Sequence, residues 1–239
     1  MFRLYSIILA CACFAFLLRA QEIRSAHPPP GRYDEPVQVS FEAQHSNIRL
    51  YYSTDGSIPT HQSLRYESPI ELTKTTVLKF RFYEGGVPFR KIETATYFIG
   101  ENHFLPRISI SGDPAHFYGK EGIFDNATKH GRDWERPVTM EYFNKDGTRE
   151  FSVGCGARVH GGFSRNSGGK LSLRLYFRSE YGAAKLRVPF FQSSEVEFFD
   201  NIVLRANYND QVGFSFGKDA GWTSLSVKDE FARTLFSEM

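Results

Sequence analysis

Residues 154–179 gather positive side chains around one connection rich in glycine. The stretch has no Asp or Glu, and its cationic residues and histidine are Arg158, His160, Arg165, Lys170, Arg174 and Arg178. Guanidinium groups and the N–H groups of a flexible loop are the donors that phosphate oxygens require. This composition predicts an anion site, with phosphate as the expected ligand. The alternative is a solvated basic face on an ordinary sheet, because basic patches are common.

Two β-like runs must position these groups, ARVH before the loop and LSLRLYF after it. Side chains alternate between the two faces of a strand, so Arg174, Tyr176 and Arg178 share one face of the second run. Arg158 and His160 share one face of the first run. If the runs are neighbours in a sheet, they present a cationic wall.

Other chemistry has weaker support. The histidines His103, His116, His130 and His160 lack metal-ligand spacing, and GGFSRNSGG lacks the Gly-Lys-Ser/Thr end of a phosphate-binding P-loop. No metal site is predicted. Cys155 has no His–Asp arrangement that would make it a nucleophile, and a single thiol is more often a small buried apolar residue.

The first twenty residues have the pattern of a secretory signal peptide. A short positive start precedes the apolar run LYSIILACACFAFLL, and Ala20 offers a small residue for cleavage. The alternative is an uncleaved membrane anchor. Cleavage would remove Arg3 and Arg19 and take the formal charge from +2 to zero, which indicates no general affinity for nucleic acid. The expected location is secreted or at the cell surface.

Residues 28–100 alternate apolar and polar side chains in short runs. The alternating positions are Val37, Val39, Phe41 and Ala43, then Ile48, Leu50 and Tyr52, then Thr76, Leu78, Phe80 and Phe82, and finally Ala95, Tyr97 and Ile99. Turn dipeptides such as Asp-Gly and Gly-Gly separate them, which predicts antiparallel strands in a small immunoglobulin-like β-sandwich.

These runs also resemble a known module. PPPGRYDEPVQVSF, IRLYYSTDGSIPT, LRYESPIELTKTTVLKFRFYEGG and TATYFIG are similar to the chitobiase/β-hexosaminidase C-terminal-like domain, a β-sandwich often attached to exported bacterial enzymes. The resemblance implies no catalytic residue. Tyr51, Tyr52 and Tyr66 form either a glycan-binding surface or part of the packed sandwich.

The pattern changes beyond residue 104. RISISG, VTMEYF, REFSVGCGARVHG, LSLRLYF and NIVLRANYND predict strands, and residues 114–122 predict a loop. The tetrapeptide NKDG at 144–147 predicts a hairpin turn. Residues 224–239, SLSVKDEFARTLFSEM, predict a helix that Ser226 and Asp229 begin with an approximate capping box.

Residues 104–239 resemble the CotH kinase family, the spore-coat protein H-like secretory kinases. The resemblance rests on LPRISISGDPAHFYGKEGIF, WERPVTMEYFNKDG, ARVHGGFSRNSGGKLSLRLYFRSEYG, and NIVLRANYND with KDEFAR. It implies the strand-rich N-terminal part of an atypical protein-kinase-like (α+β) domain, so the whole chain is expected to be mainly β. One departure is Gly168-Gly169-Lys170, which is looser than the family's usual Pro-x-Lys-Ser.

The resemblance implies an exported kinase that transfers phosphate from ATP to a Ser-rich protein substrate with Mg²⁺. The residues it places on the nucleotide phosphates are Lys170, Arg174, Arg158, Arg178 and Arg205. The available carboxylates, Asp210 and Asp229, are interpreted as a turn residue and a helix N-terminal charge. The alternative, by analogy with ordinary kinases, is that Asp229 or Glu230 pairs with Lys170. The family's catalytic and metal-binding Asp residues are expected beyond Met239, which predicts an incomplete and inactive chain. The alternative function is a non-catalytic surface or coat-assembly protein whose sandwich binds cell-wall glycan.

Overall fold

The computed structural model describes residues 26–41, 47–101, 105–166, 170–188 and 196–206. These residues are mainly β, as the sequence predicts. They divide into two compact units. The first unit consists of the described residues of Met1–Pro114 together with Thr139–Ser152, and the second consists of Ala115–Val138 and the described residues from Val153 onward.

The first unit contains nine complete strands. They are β1 (Gly31–Tyr33), β2 (Val37–Val39), β3 (Ile48–Ser53), β4 (Leu64–Arg65), β5 (Ile70–Leu72), β6 (Thr76–Glu84), β7 (Val87–Pro88), β8 (Glu93–Ile99) and β9 (Arg107–Ser111). One sheet has the order β1-β8-β6-β3-β4, with β7 paired to β6, and a smaller sheet pairs β2 with β5. All these pairs are antiparallel except β1 with β8.

The core of this sandwich follows the alternation in the sequence. Leu78, Phe80 and Phe82 on β6 are almost completely buried, together with Leu50 on β3 and Tyr97 on β8. Burying a large apolar side chain contributes about 1.5–3 kcal/mol relative to leaving it exposed. These inward-facing aromatic and aliphatic residues therefore fix the register of β3, β6 and β8.

Two long strands, β10 (Arg136–Phe143) and β11 (Arg149–His160), have residues in both units. The predicted turn joins them. The Asn144 N–H donates to the Thr148 carbonyl at 3.0 Å, and Gly147 has a φ of 83°, a conformation that favours glycine. Within the first unit, β9 pairs antiparallel with Thr139–Phe143 of β10.

A buried polar cluster, defined by Glu141, Arg149, Thr96 and Ser109, lies within the first unit. Glu141 is completely buried and accepts a hydrogen bond from the Arg149 guanidinium at 2.9 Å. The Thr96 backbone N–H donates to it at 3.3 Å and the Thr96 hydroxyl at 2.5 Å. The hydroxyls of Thr96 and Ser109 lie 2.9 Å apart. Each carboxylate oxygen of Glu141 is thus paired, which a buried charge requires.

In the second unit the strand order is β10-β11-β12-β15, with β12 at Ser172–Tyr176 and β15 at Asn201–Leu204. A separate pair joins β13 (Leu186–Arg187) to β14 (Phe198–Phe199). Short 3-10 helices occupy Arg132–Trp134 and Phe163–Asn166. The segment predicted as a loop over 114–122 begins with a four-residue helix, α1 (Pro114–Phe117). The helix predicted over 224–239 lies outside the described residues.

Candidate anion site

A cavity of about 170 Å³ in the second unit collects positive side chains from two separate parts of the chain. The residues that form it come from 123–134 and from 158–176, which holds the end of β11, the 3-10 helix at Phe163–Asn166 and β12. Those that are cationic or histidine are Lys129, His130, Arg158, His160, Arg165 and Arg174. Trp134 and Tyr176 supply aromatic walls. Among the described residues that line this cavity there is no Asp or Glu, so the cavity favours an anion.

Arg158 and Arg174 lie directly opposite each other on β11 and β12. Leu175, the next residue on β12, is buried on the other face, as strand alternation requires, and Phe177 just after the strand is buried as well. Like charges at directly opposed positions destabilise a sheet unless something compensates them. The Nε atom of Arg174 is buried and has no hydrogen-bond partner within the described part of the chain. A buried donor in that state calls for a partner such as an ordered water or an ion.

His160 shares this cavity with the arginines. Burial lowers the pKa of its imidazole, and the nearby charges of Arg174, Arg165 and Arg205 lower it further. The imidazole is therefore neutral at neutral pH and carries one donor and one acceptor nitrogen. It can complement a partly protonated phosphate without adding a further positive charge to the cluster.

Arg165 belongs to the cavity wall, but its guanidinium is already engaged by backbone carbonyls. Its NH1 group donates to the carbonyls of Ala127 at 3.1 Å and Lys129 at 3.0 Å. Its remaining nitrogens donate to the carbonyls of Gly161 and Val159. Arg165 therefore holds two segments of the cavity wall together, and Arg174 is the better anion donor.

Glu135 is the residue beside the candidate site that sequence reasoning missed. Its carboxylate is completely buried and accepts hydrogen bonds from Arg178 at 2.9 and 3.4 Å. The Nε atom of Arg158 lies 3.6 Å from the same carboxylate. The count over 154–179 found no acidic residue because Glu135 lies 43 positions before Arg178. The feature of the sequence that could have indicated Glu135 is its position between Trp134 and Arg136, just before a strand.

Tight packing surrounds Glu135. A Cβ atom added at Gly156 would lie 2.5 Å from Oε1 of Glu135 and 2.6 Å from a ring carbon of Tyr181. Burial raises the pKa of the Tyr181 hydroxyl, and the Glu135 charge raises it further. Gly156 thus provides the space that the buried carboxylate occupies.

The structure separates the predicted phosphate ligands. Arg158 and Arg174 line the cavity, whereas Lys170 is exposed and does not line it. Arg178 also lies outside the lining, because Glu135 binds its guanidinium. Arg205 is exposed but close enough to His160 to lower its pKa. Asp210 and Asp229 lie outside the described residues.

Cys155 is buried on β11, and this burial raises the pKa of its thiol to about 12. The reactive thiolate is therefore scarce at neutral pH. We expect the native chain to resist a thiol-specific disulfide reagent at pH 8, and the unfolded chain to react stoichiometrically. Absorbance of the released chromophore in buffer and in denaturant measures both. Fast labelling of the folded chain would contradict this expectation.

The tyrosines considered for glycan binding pack within the sandwich. The Tyr66 ring meets Phe41 edge-on at 5.1 Å, and its hydroxyl accepts the Phe41 N–H at 3.2 Å. Tyr52 packs against the core, and Tyr51 meets Tyr83 edge-on at 5.3 Å. These contacts favour the packing alternative over a glycan surface.

No group of three or more His, Cys, Asp or Glu side chains among the described residues is arranged to hold a metal ion. No helix in the same part of the chain is long and apolar enough to cross a membrane.

Comparison with known proteins identifies part of the chain. Residues 28–88 match the family model of the chitobiase/beta-hexosaminidase C-terminal domain. This confirms the first resemblance, and β8, which follows the matched residues, lies in the same sheet as β1 and β6. No curated protein and no solved structure matches the chain. None of these comparisons supports the CotH resemblance of residues 104–239, which stays a prediction.

Proposed function

We propose that this chain is part of an exported, ATP-dependent protein kinase of the CotH type, and that the cavity of the second unit binds nucleotide phosphates. The observation that carries the proposal is Arg174. Its buried Nε atom has no partner among the described residues, and it faces Arg158 across the sheet in a cavity lined by cations. A phosphate group would accept from both arginines and offset their repulsion.

The size of the cavity limits what enters it. Sites that enclose a complete small ligand are usually about 300–1,000 Å³, and this one is about 170 Å³. The proposal therefore places phosphoryl groups inside, with the ribose and base outside. The described residues offer no metal cluster, so no step is assigned to Mg²⁺. The Ser-rich substrate and the export of the chain remain part of the proposal through the resemblance and the N-terminal pattern alone.

Titration calorimetry of the full chain with ATP tests this proposal. Replacing Arg174 with Ala removes one charge-assisted contact of about 1.5–3 kcal/mol, so ATP affinity is expected to fall at least about tenfold. Arg65→Ala is the matched control, because Arg65 is an exposed arginine of β4 whose described ion pair is with exposed Glu67. Equal affinity in both variants, or no ATP binding by the folded wild-type chain, would refute the proposal.

Adenosine and tripolyphosphate separate the two halves of the nucleotide. Tripolyphosphate is expected to compete with ATP, whereas adenosine is expected not to compete. Competition by adenosine alone would mean that ATP binds outside this cavity, through its base and ribose.

The non-catalytic alternative, glycan binding by the sandwich, receives no support from the tyrosine contacts. Titration of the full chain with chito-oligosaccharide is therefore expected to give no heat of binding.

A further inference from the structure

Two arginines share one buried carboxylate, but only one of them lines the cavity. Glu135 receives two hydrogen bonds from Arg178, at 2.9 and 3.4 Å, while Arg158 stands at 3.6 Å from it. Arg158 lines the cavity and Arg178 does not. The closer partner of Glu135 is therefore the arginine that has no direct part in the anion site.

The ring of Tyr176 connects the two arginines. The guanidinium carbon of Arg158 lies 4.1 Å from the ring centroid, and that of Arg178 lies 5.0 Å from it. Guanidinium groups near an aromatic face are held by its negative potential. Tyr176 also lines the cavity, so it keeps Arg158 beside the anion site while Arg178 reaches Glu135.

We infer that Arg178 is a positioning residue for the anion site: by occupying Glu135, it leaves the charge of Arg158 available to an anion in the cavity. This inference rests on the proposed phosphate binding. A buried carboxylate without a partner is very unfavourable, so Glu135 must recruit a cation from its surroundings. Without Arg178, the nearest cation in the described part of the chain is Arg158, whose Nε atom already lies 3.6 Å from the carboxylate and would be drawn closer to it and away from the anion.

The inference predicts an effect from a residue outside the cavity. Arg178→Ala is expected to weaken the binding of tripolyphosphate about tenfold, the loss expected when one charge-assisted contact is withdrawn. Adding Glu135→Gln to that variant is expected to restore the affinity, because no carboxylate then competes for Arg158. Arg178→Lys, which keeps a cation beside Glu135, is expected to bind close to the wild-type level.

Calorimetry of the full chain with tripolyphosphate is the experiment, with a melting curve for each variant. Arg132→Ala is the control, since it removes one arginine of the same unit that pairs with exposed Glu180 at 2.7 Å. A second readout is the NMR signal of the Arg158 Nε–H in the absence of ligand. It is expected to shift in Arg178→Ala and to return in the double variant.

Phosphate binding by the cavity and the positioning role of Arg178 are contradicted by different results. If the wild-type chain binds no tripolyphosphate, the proposed function is wrong. If the wild type binds it and Arg174→Ala does not, while Arg178→Ala matches Arg132→Ala, the cavity stands and the role of Arg178 is overturned. Failure of Glu135→Gln to restore binding in the folded double variant would overturn it as well.

Discussion

Replacing Glu141 with Ala is expected to lower the free energy of unfolding by about 3–5 kcal/mol, the cost of removing one partner of a buried ion pair. Glu141 is completely buried, and its loss removes the carboxylate that the Arg149 guanidinium and the Thr96 hydroxyl both contact, leaving Arg149 with the Thr94 carbonyl and Thr96 with the Ser109 hydroxyl. Because whole domains are stable by only about 5–15 kcal/mol, this variant is expected to lie near the limit of folding. Urea denaturation of the full chain, followed by circular dichroism, measures the change.

Two variants test the cause of this loss. Glu71→Ala removes an exposed glutamate from strand β5 and is expected to change stability by less than about 0.5 kcal/mol. Glu141→Leu combined with Arg149→Met removes both the buried carboxylate and its half-buried arginine partner, and is expected to be more stable than Glu141→Leu alone. A Glu141→Ala variant as stable as the Glu71→Ala control would show that the buried polar cluster contributes nothing.

Replacing Gly156 with Val is expected to destabilise the chain by about 3 kcal/mol, at the upper end for overpacking. The new Cβ would stand 2.5 Å from a carboxylate oxygen that Arg178 holds at 2.9 Å. Neither group can move without breaking this ion pair or displacing the Tyr181 ring, which lies at 2.6 Å on the same side. Thermal melting of the full chain measures the effect.

Gly162→Ala is the matched control for this prediction. Gly162 follows β11, and a Cβ there would meet no atom within 4 Å. The substitution is expected to be neutral or to stabilise by up to about 1 kcal/mol through the unfolded state. Equal melting temperatures for Gly156→Val and Gly162→Ala would mean that the space around Glu135 is not filled as the structure shows.

Strands with a clear alternation of side chains were predictable, and strands without one were not. β3, β6 and β8 follow their apolar positions closely, and the Asn144–Gly147 turn was identified from its residue types. β4 and β7 contain two residues each, too few to show a period of two. β1 pairs in parallel with β8, a partner that lies far away in sequence. Short or distant pairings leave no local pattern.

The same distinction applies to the site. Arg158 and Arg174 were predicted to share a wall because strand alternation fixes their faces, and the observed register sets them opposite each other. Arg178 was placed on that face by the same alternation, yet it lies beyond the end of β12 and Glu135 binds its guanidinium outside the cavity. A local count of charges cannot include a carboxylate that the fold brings from another segment. Lys129 and His130 were missed for the same reason.

The four carbonyl contacts of Arg165 have a consequence for the speed of ligand capture. They tie residues 127–129 to residues 159–161, so the wall of the cavity is assembled when the chain folds. A rigid site loses little conformational entropy when a ligand arrives. Association is then governed by diffusion and by the attraction between opposite charges, which salt weakens. For the proposed phosphate ligand, the rate of capture is therefore expected to fall as the ionic strength of the surroundings rises.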